Sequence, residues 1–227
     1  MRLSLVLPVY NECGNLKRNF MKIYDAVQEI GDSEIIIAED GSTDCTKRYA
    51  KRFSRLRGVR VLLSKERLGR GGALKRAIRI AKGRTIGYID IDLAVPVRYV
   101  VEALDEVERG SKIVVGSRYM RGSMTKRSAK RFIASVSYNA LMRALLNSRV
   151  HDHQCGFKFW NAHFIKELLP EIKDNHWFFD SEVIVRAGRK GVKTVELPVE
   201  WREQKSSKVR GNDLAYFMSS IIRLRFR

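Results

Sequence analysis

Thr85-Ile86-Gly87-Tyr88-Ile89-Asp90-Ile91-Asp92 reads as a short buried strand that runs into two acids. A strand's period of two puts Asp90 and Asp92 on one face at its carboxyl edge. Similar apolar, β-branched runs occur at residues 3–7, 34–38, 59–63 and 112–116. Between the five runs, residues 15–30, 43–55, 71–82 and 97–109 carry apolar side chains at helical spacing. The strand starts lie 25 to 31 residues apart, the length of a strand–helix–strand unit. This predicts an α/β protein with a mostly parallel central sheet and helices on both faces. In such sheets ligands bind beyond the carboxyl ends of the strands, so the residues just after each run are the ones to read for chemistry.

The chain has 227 residues, with 44 Lys+Arg against 25 Asp+Glu, a formal net charge of +19. With 44% hydrophobic and 30% charged residues it is a folded globular chain, of one domain or one domain with a small appendage. Cys13, Cys45 and Cys155 are odd in number and scattered, which argues against a disulfide framework and for a reducing compartment. No apolar stretch reaches the ~20 residues that span a bilayer, and the sequence opens directly on a strand with no signal-peptide architecture. A pI near 10.2 suits nucleic acid, anionic lipid, a phosphorylated substrate or simply a heat-adapted composition. A nucleic-acid binder needs aromatic residues interleaved with its basic ones. The most basic stretch, 117–131, offers only Tyr119. The charge is therefore read as a surface for a phosphorylated acceptor and a membrane, with no nucleic acid as partner.

Three other strand ends carry polar turns. Pro8-Val9-Tyr10-Asn11-Glu12 follows the first run and Asp40-Gly41-Ser42-Thr43-Asp44 the second. Gly69-Arg70-Gly71-Gly72 opens the third helix; it reads either as a phosphate-holding helix start or as a plain junction. Asp90 and Asp92 read equally as ligands of a hard divalent cation, Mg²⁺ or Mn²⁺, or as a helix cap beside a salt-bridged acid.

Beyond residue 116 the pattern changes. Arg118, Arg121, Lys126, Arg127, Lys130 and Arg131 lie in an acid-free stretch. A helix to about residue 146 is expected next, then an extended 151–160, short helices near 162–169 and 180–188, and a strand at 193–197 ended by Pro198. If 151–155 were a strand, His151, His153 and Cys155 would point one way, as in a zinc site lacking its fourth ligand. In the tail from residue 211, Leu214, Phe217, Met218, Ile221 and Ile222 share a helical stripe, with Arg223, Arg225 and Arg227 at the end. Such a helix lies in a membrane interface or packs on the protein's own core.

Taken in order, these motifs resemble the family 2 glycosyltransferases of the GT-A fold. Asp152-His153-Gln154-Cys155-Gly156-Phe157-Lys158, Trp177-Phe178-Phe179-Asp180-Ser181-Glu182, Pro198-Val199-Glu200-Trp201 and Ser207-Lys208 look like the dolichyl-phosphate glucosyltransferase branch, close to the dolichyl-phosphate mannose synthases. The resemblance implies a catalytic domain over 1–210 and an amphipathic tail over 211–227. It implies that Pro8, Tyr10, Glu12 and Asp40 hold the nucleotide, and that Asp90 and Asp92 hold Mg²⁺ or Mn²⁺ at the donor diphosphate. Lys208 would touch a phosphate and Asp180 would face the acceptor. Ala94 stands where mannose synthases often place a glutamine, which favours glucose.

The implied reaction is inverting transfer of a sugar from a nucleotide-sugar to a polyprenyl or dolichyl phosphate. GDP-mannose as donor and a glycan as acceptor are the alternatives. A phosphate acceptor is already ionised near pH 7 and needs cations more than a base. Arg118 and Arg131 are the first candidates for that task, with Arg127 behind them. The expected location is the cytoplasmic face of a membrane, peripheral or held by further anchors.

Overall fold

The computed structural model describes residues 1–126, 128–203 and 213–226, without the side chains of residues 130, 131, 213 and 214. Seven strands form the main sheet: β1 (Leu3–Val9), β2 (Ser33–Glu39), β3 (Val59–Leu62), β4 (Thr85–Ile89), β5 (Ile113–Ser117), β7 (Phe157–Asn161) and β8 (Thr194–Pro198). Their order is β3-β2-β1-β4-β7-β5-β8. All neighbours are parallel except β7, which is antiparallel to both β4 and β5. Two short strands, β6 (Met124–Lys126) and β9 (Glu200–Arg202), pair separately.

The expected helices are present as α1 (Cys13–Ile30), α2 (Thr46–Phe53), α3 (Arg70–Ile80), α4 (Tyr99–Glu108), α5 (Ala129–Leu146), α6 (Ala162–Leu168), α7 (Phe179–Arg189) and α8 (Asp213–Arg225). Alternation along β1 divides the core. Leu3, Leu5, Leu7 and Val9 join the apolar faces of α1 and α4, while Val6 joins those of α3, α6 and α7 on the other side. Buried apolar area of this kind, at about 25 cal/mol per Å², is what holds both helix layers to the sheet.

A third cluster lies off the sheet. Met142 and Leu146 of α5 pack with Phe178, Val185 and the tail residues Phe217, Ile221 and Leu224. Much of the tail's apolar stripe thus faces the protein, although Ile222 on the same helix is exposed. Among the described residues no helix is long and apolar enough to cross a membrane.

Two expectations are corrected. Cys13 and Cys45 form a disulfide with Cα atoms 5.3 Å apart, tying the start of α1 to the start of α2. The parity of the cysteines gave no view of this proximity, and the inference of a reducing compartment loses its basis. Cys155 is free and buried, and burial pushes its thiol up to about 12. The stretch 151–155 is not a strand, so its side chains do not share a face. His151 pairs with Glu196 at 2.8 Å, and buried His153 lies between Asn139 and Ser148.

Candidate active site

The carboxyl edge of the sheet gathers most of the described residues singled out from sequence. At one end the loops after β1 and β2 are zipped together. Asn11 takes a left-handed conformation, φ 50°, which an asparagine tolerates. Its Oδ1 accepts the Thr43 N–H at 2.9 Å, and its own N–H donates to Ser42 Oγ at 3.0 Å. The Glu12 N–H donates to Thr46 Oγ1 at 2.9 Å and the Cys13 N–H to Asp44 Oδ2 at 3.1 Å. Pro8 is the penultimate residue of β1, paired in register with Ala38. Tyr10 lies under the Arg67 guanidinium, 4.1 Å from the ring centre. Asp40 is buried and accepts the Leu68 N–H at 2.6 Å; burial pushes its carboxyl up.

At the centre, Asp90 and Asp92 follow β4. Asp90 is paired with Arg70 at 2.8 Å, so the salt-bridge reading of that acid holds. A side chain at Gly156 would collide with the Asp90 carboxylate, which explains the glycine there. Among the described residues Asp92 accepts the local Ala94 N–H at 3.0 Å, and it lies well before α4, so it does not cap that helix. Its carboxyl is pushed up to about 6 by burial and then by Asp90, with Glu12 adding to the effect. Three acids thus crowd this place, and Arg70 and Lys158 both act against the charge of Asp90.

Excess negative charge from oxygen ligands suits Mg²⁺ or Mn²⁺, which take one or two carboxylates and complete their shell with water or substrate phosphate. Among the described residues no group of three or more His, Cys, Asp or Glu is arranged to hold a metal by itself. Asp90 and Asp92 are the carboxylates that could hold such an ion together with substrate phosphate.

The glycine-rich opening of α3 turns out to be a packing device. A Cβ on Gly71 would meet Phe179 at 2.8 Å, and the Gly72 N–H already donates to Asn175 O at 2.9 Å. The loop before α7 covers this helix start, so it is not an open phosphate cradle. The covering brings α7 to the site. Asp180, in the first turn of α7, is buried and accepts the Tyr88 hydroxyl at 2.5 Å. Lys158 of β7 is fully buried, donates to Cys155 O at 2.6 Å and stands 3.9 Å from Asp180. Because α7 begins at Phe179, Asp180 is not its N-cap.

Arg118 departs from expectation. Its Nε and Nη2 donate to Asp152 at 2.7 and 2.8 Å, and Asp152 is fully buried. Nε and Nη2 are thereby committed to Asp152, and Nη1 is the part of the guanidinium outside that pair. Arg127 and Lys208 lie outside the described residues, as does the side chain of Arg131. Arg70, Tyr88 and Lys158 complete the site without having been foreseen. Lys158 left a signal, a charge inside the apolar run Phe157-Lys158-Phe159-Trp160.

Residues 4–169 match the profile of the family described as Glycosyl transferase family 2. Glycosyltransferase AglD of Haloferax volcanii is 38% identical over 92% of this chain and 34% of its own length. The dolichyl-phosphate beta-glucosyltransferases of Saccharomyces cerevisiae and Dictyostelium discoideum are 27% and 29% identical, over 91% and 99% of this chain. The chain spans about a third of the length of the first of these relatives, and 69% and 74% of the other two. A crystal structure of glucosyl-3-phosphoglycerate synthase from Mycobacterium tuberculosis, with Mn²⁺, UDP and glucosyl-3-phosphoglycerate, superposes with a TM-score of 0.71. It covers 98% of this chain and 78% of its own at 18% identity, a likeness of fold, the GT-A arrangement.

Proposed function

The chain belongs to glycosyltransferase family 2, and from that premise we propose that this GT-A glycosyltransferase moves glucose from UDP-glucose to a polyprenyl or dolichyl phosphate. One observation carries the reading. Asp90 and Asp92 stand together at the carboxyl edge, and burial and mutual repulsion push Asp92 up to about 6. The likeness to dolichyl-phosphate beta-glucosyltransferases over nearly the whole chain supports the acceptor and the sugar.

The zipped loops at β1 and β2 offer Pro8, Tyr10, Glu12 and Asp40 to the base and ribose. Asp90 and Asp92 would hold Mg²⁺ or Mn²⁺. When bound, that ion supplies positive charge to the departing diphosphate. Arg70 adds a fixed cation beside Asp90. The acceptor phosphate, largely ionised at pH 7, forms its bond to the anomeric carbon as the bond to the diphosphate breaks. Attack from the opposite face inverts that carbon, and no strong base is required. We assign Asp180 to the acceptor side, oriented by Tyr88 and Lys158. Arg131, Arg127 and Lys208 are the proposed contacts of the acceptor and donor phosphates. The protein acts at a membrane surface, where such an acceptor resides.

The test is transfer of labelled sugar from UDP-glucose or GDP-mannose to a short-chain polyprenyl phosphate, with Mn²⁺ and with chelator. UDP-glucose with Mn²⁺ is expected to react, and Asp92→Asn to lose about a thousandfold or more in turnover, as metal and electrostatic stabilisation are removed together. Full activity in chelator would overturn the metal assignment. Transfer from GDP-mannose alone would overturn the choice of sugar.

A further inference from the structure

One face of α3 opens on a cavity of about 300 Å³ whose charged walls are Lys75, Arg76 and Arg79. A second cavity of about 350 Å³ shares Arg79, Leu169 and Pro170 with it and adds Lys166 of α6. Among the described residues no acid lines either cavity, and Asp90 and Asp92 belong to neither. Arg79 stands four residues from Lys75 and three from Arg76, the spacings at which helical side chains meet. Like charges are thus gathered on one face of the helix.

The hydrogen bonds these cations make within the described residues go to neutral oxygens. Lys75 is buried and donates to Asn175 Oδ1 at 2.8 Å. Arg76 donates to Leu63 O at 3.4 Å and Lys166 to Ala81 O at 2.7 Å. The neighbouring acids are engaged elsewhere: Glu182 with Arg186 at 2.7 Å, Asp174 with the Tyr216 hydroxyl at 2.5 Å, Glu171 with Lys190 at 2.8 Å and Glu167 with His163 at 3.2 Å. Burial pushes the Lys75 ammonium below its ordinary range, and Arg79 and Lys173 press the same way against Glu182 and Asp174. A concave, half-enclosed place with several cations and no lining acid is completed electrostatically by an anion, and phosphate oxygens accept from such donors in short charge-assisted bonds. We propose that this groove is a second anion site, separate from the donor site, for a soluble phosphorylated molecule with two or more negative charges. Lys75, Arg76 and Arg79 hold its phosphate, Lys166 meets the part that extends into the second cavity, and Leu169 and Pro170 give its body an apolar wall.

Calorimetric titration with pyrophosphate in chelator tests this. The wild-type protein is expected to bind it. Arg76→Gln/Arg79→Gln should bind it at least about tenfold more weakly, since two charge-assisted donors are lost; a melting temperature no lower than the wild type's certifies that variant's fold. Arg55→Gln/Arg57→Gln, which removes two exposed cations outside the groove, should bind as the wild type does. No binding by the wild type would overturn the proposal. So would equal losses in the two double variants, which would make binding an effect of net charge, and so would a loss confined to Arg70→Gln, which would put the anion in the donor site. Co-sedimentation with phosphatidylcholine vesicles carrying phosphatidic acid checks the source of the phosphate. Equal sedimentation of wild type and Arg76→Gln/Arg79→Gln is expected for a soluble ligand, and weaker sedimentation of the variant would overturn that choice in favour of a lipid headgroup.

Discussion

At the β1–β2 end of the carboxyl edge, hydrogen bonds such as those of Asn11 with Ser42 and Thr43 hold the loops, beside the Cys13–Cys45 disulfide and the buried Asp40. At the β5–β7 end, buried charges do the holding: Arg118 on Asp152, and Lys158 near Asp180. The first kind of contact nets about 1 kcal/mol each and leaves the loop rim open to a ligand. The second carries a desolvation cost that is offset only while both partners are present. If the β1–β2 end is the donor end and the β5–β7 end the acceptor end, as proposed, the donor end should tolerate single changes that the acceptor end does not.

The largest expected effect follows directly. Against the burial that pushes it up, Arg118 holds the Asp152 carboxyl below the usual range. Asp152→Asn or Arg118→Met should each cost about 3–5 kcal/mol of stability, because each leaves a buried charge alone. Asn11→Ala should cost about 1 kcal/mol. Urea denaturation midpoints measure both. Equal losses at the two ends would break the comparison. Recovery of most of the loss in Arg118→Met/Asp152→Leu would sharpen it, since well-packed apolar replacements of buried ion pairs are often neutral.

A smaller effect separates the two ends by chemistry. Asp180→Asn keeps an oxygen for the Tyr88 hydroxyl, so the local packing survives. Turnover should fall about 100-fold, with the KM for the nucleotide-sugar changed about twofold or less. Steady-state kinetics at varied donor concentration reads both. A parallel loss in turnover and donor affinity would move Asp180 to the donor end.

These contrasts also mark how far the sequence could be read. The positions of Tyr10, Glu12, Asp40, Asp90 and Asp92 at the carboxyl edge were legible because they follow β1, β2 and β4 directly, so strand periodicity locates them. Asp180 was reached through family resemblance, but its partner Tyr88 is 92 residues away, and no local pattern encodes that contact. The basic stretch after β5 told how many cations there are, not that Asp152 neutralises Arg118. Likewise, spacing along the chain said nothing of the approach of Cys13 to Cys45, which depends on α1 and α2 starting side by side. The antiparallel β7 between β4 and β5 was expected only as an extended segment. Its place in the sheet follows from long-range pairing, with Phe157 opposite Ile89 and Trp160 opposite Ile113.

The smallest expected effect is a slope with pH, again confined to the acceptor end. His153 is fully buried, with Nδ1 2.9 Å from Asn139 Oδ1 and Nε2 2.7 Å from Ser148 Oγ. The carbonyl oxygen of Asn139 can only accept, so Nδ1 carries the hydrogen and Nε2 accepts from the serine hydroxyl. Burial lowers the pKa to about 3, and Lys158, Arg143 and His151 press the same way against Asp152, which raises it. The folded value lies below the ordinary 6.5. Between those limits the unfolded chain takes up the proton and the folded one does not. Stability from this group is complete above pH 6.5 and is lost as pH falls toward 3. The slope approaches about 1.4 kcal/mol per pH unit. Unfolding free energies of the wild type should therefore decline more steeply between pH 6.5 and 4.5 than those of His153→Gln, whose side chain does not titrate. Asn11→Ala, at the donor end, should run parallel to the wild type. If wild type and His153→Gln run parallel, the histidine is not held neutral, and the buried-charge account of this end fails at its most sensitive point.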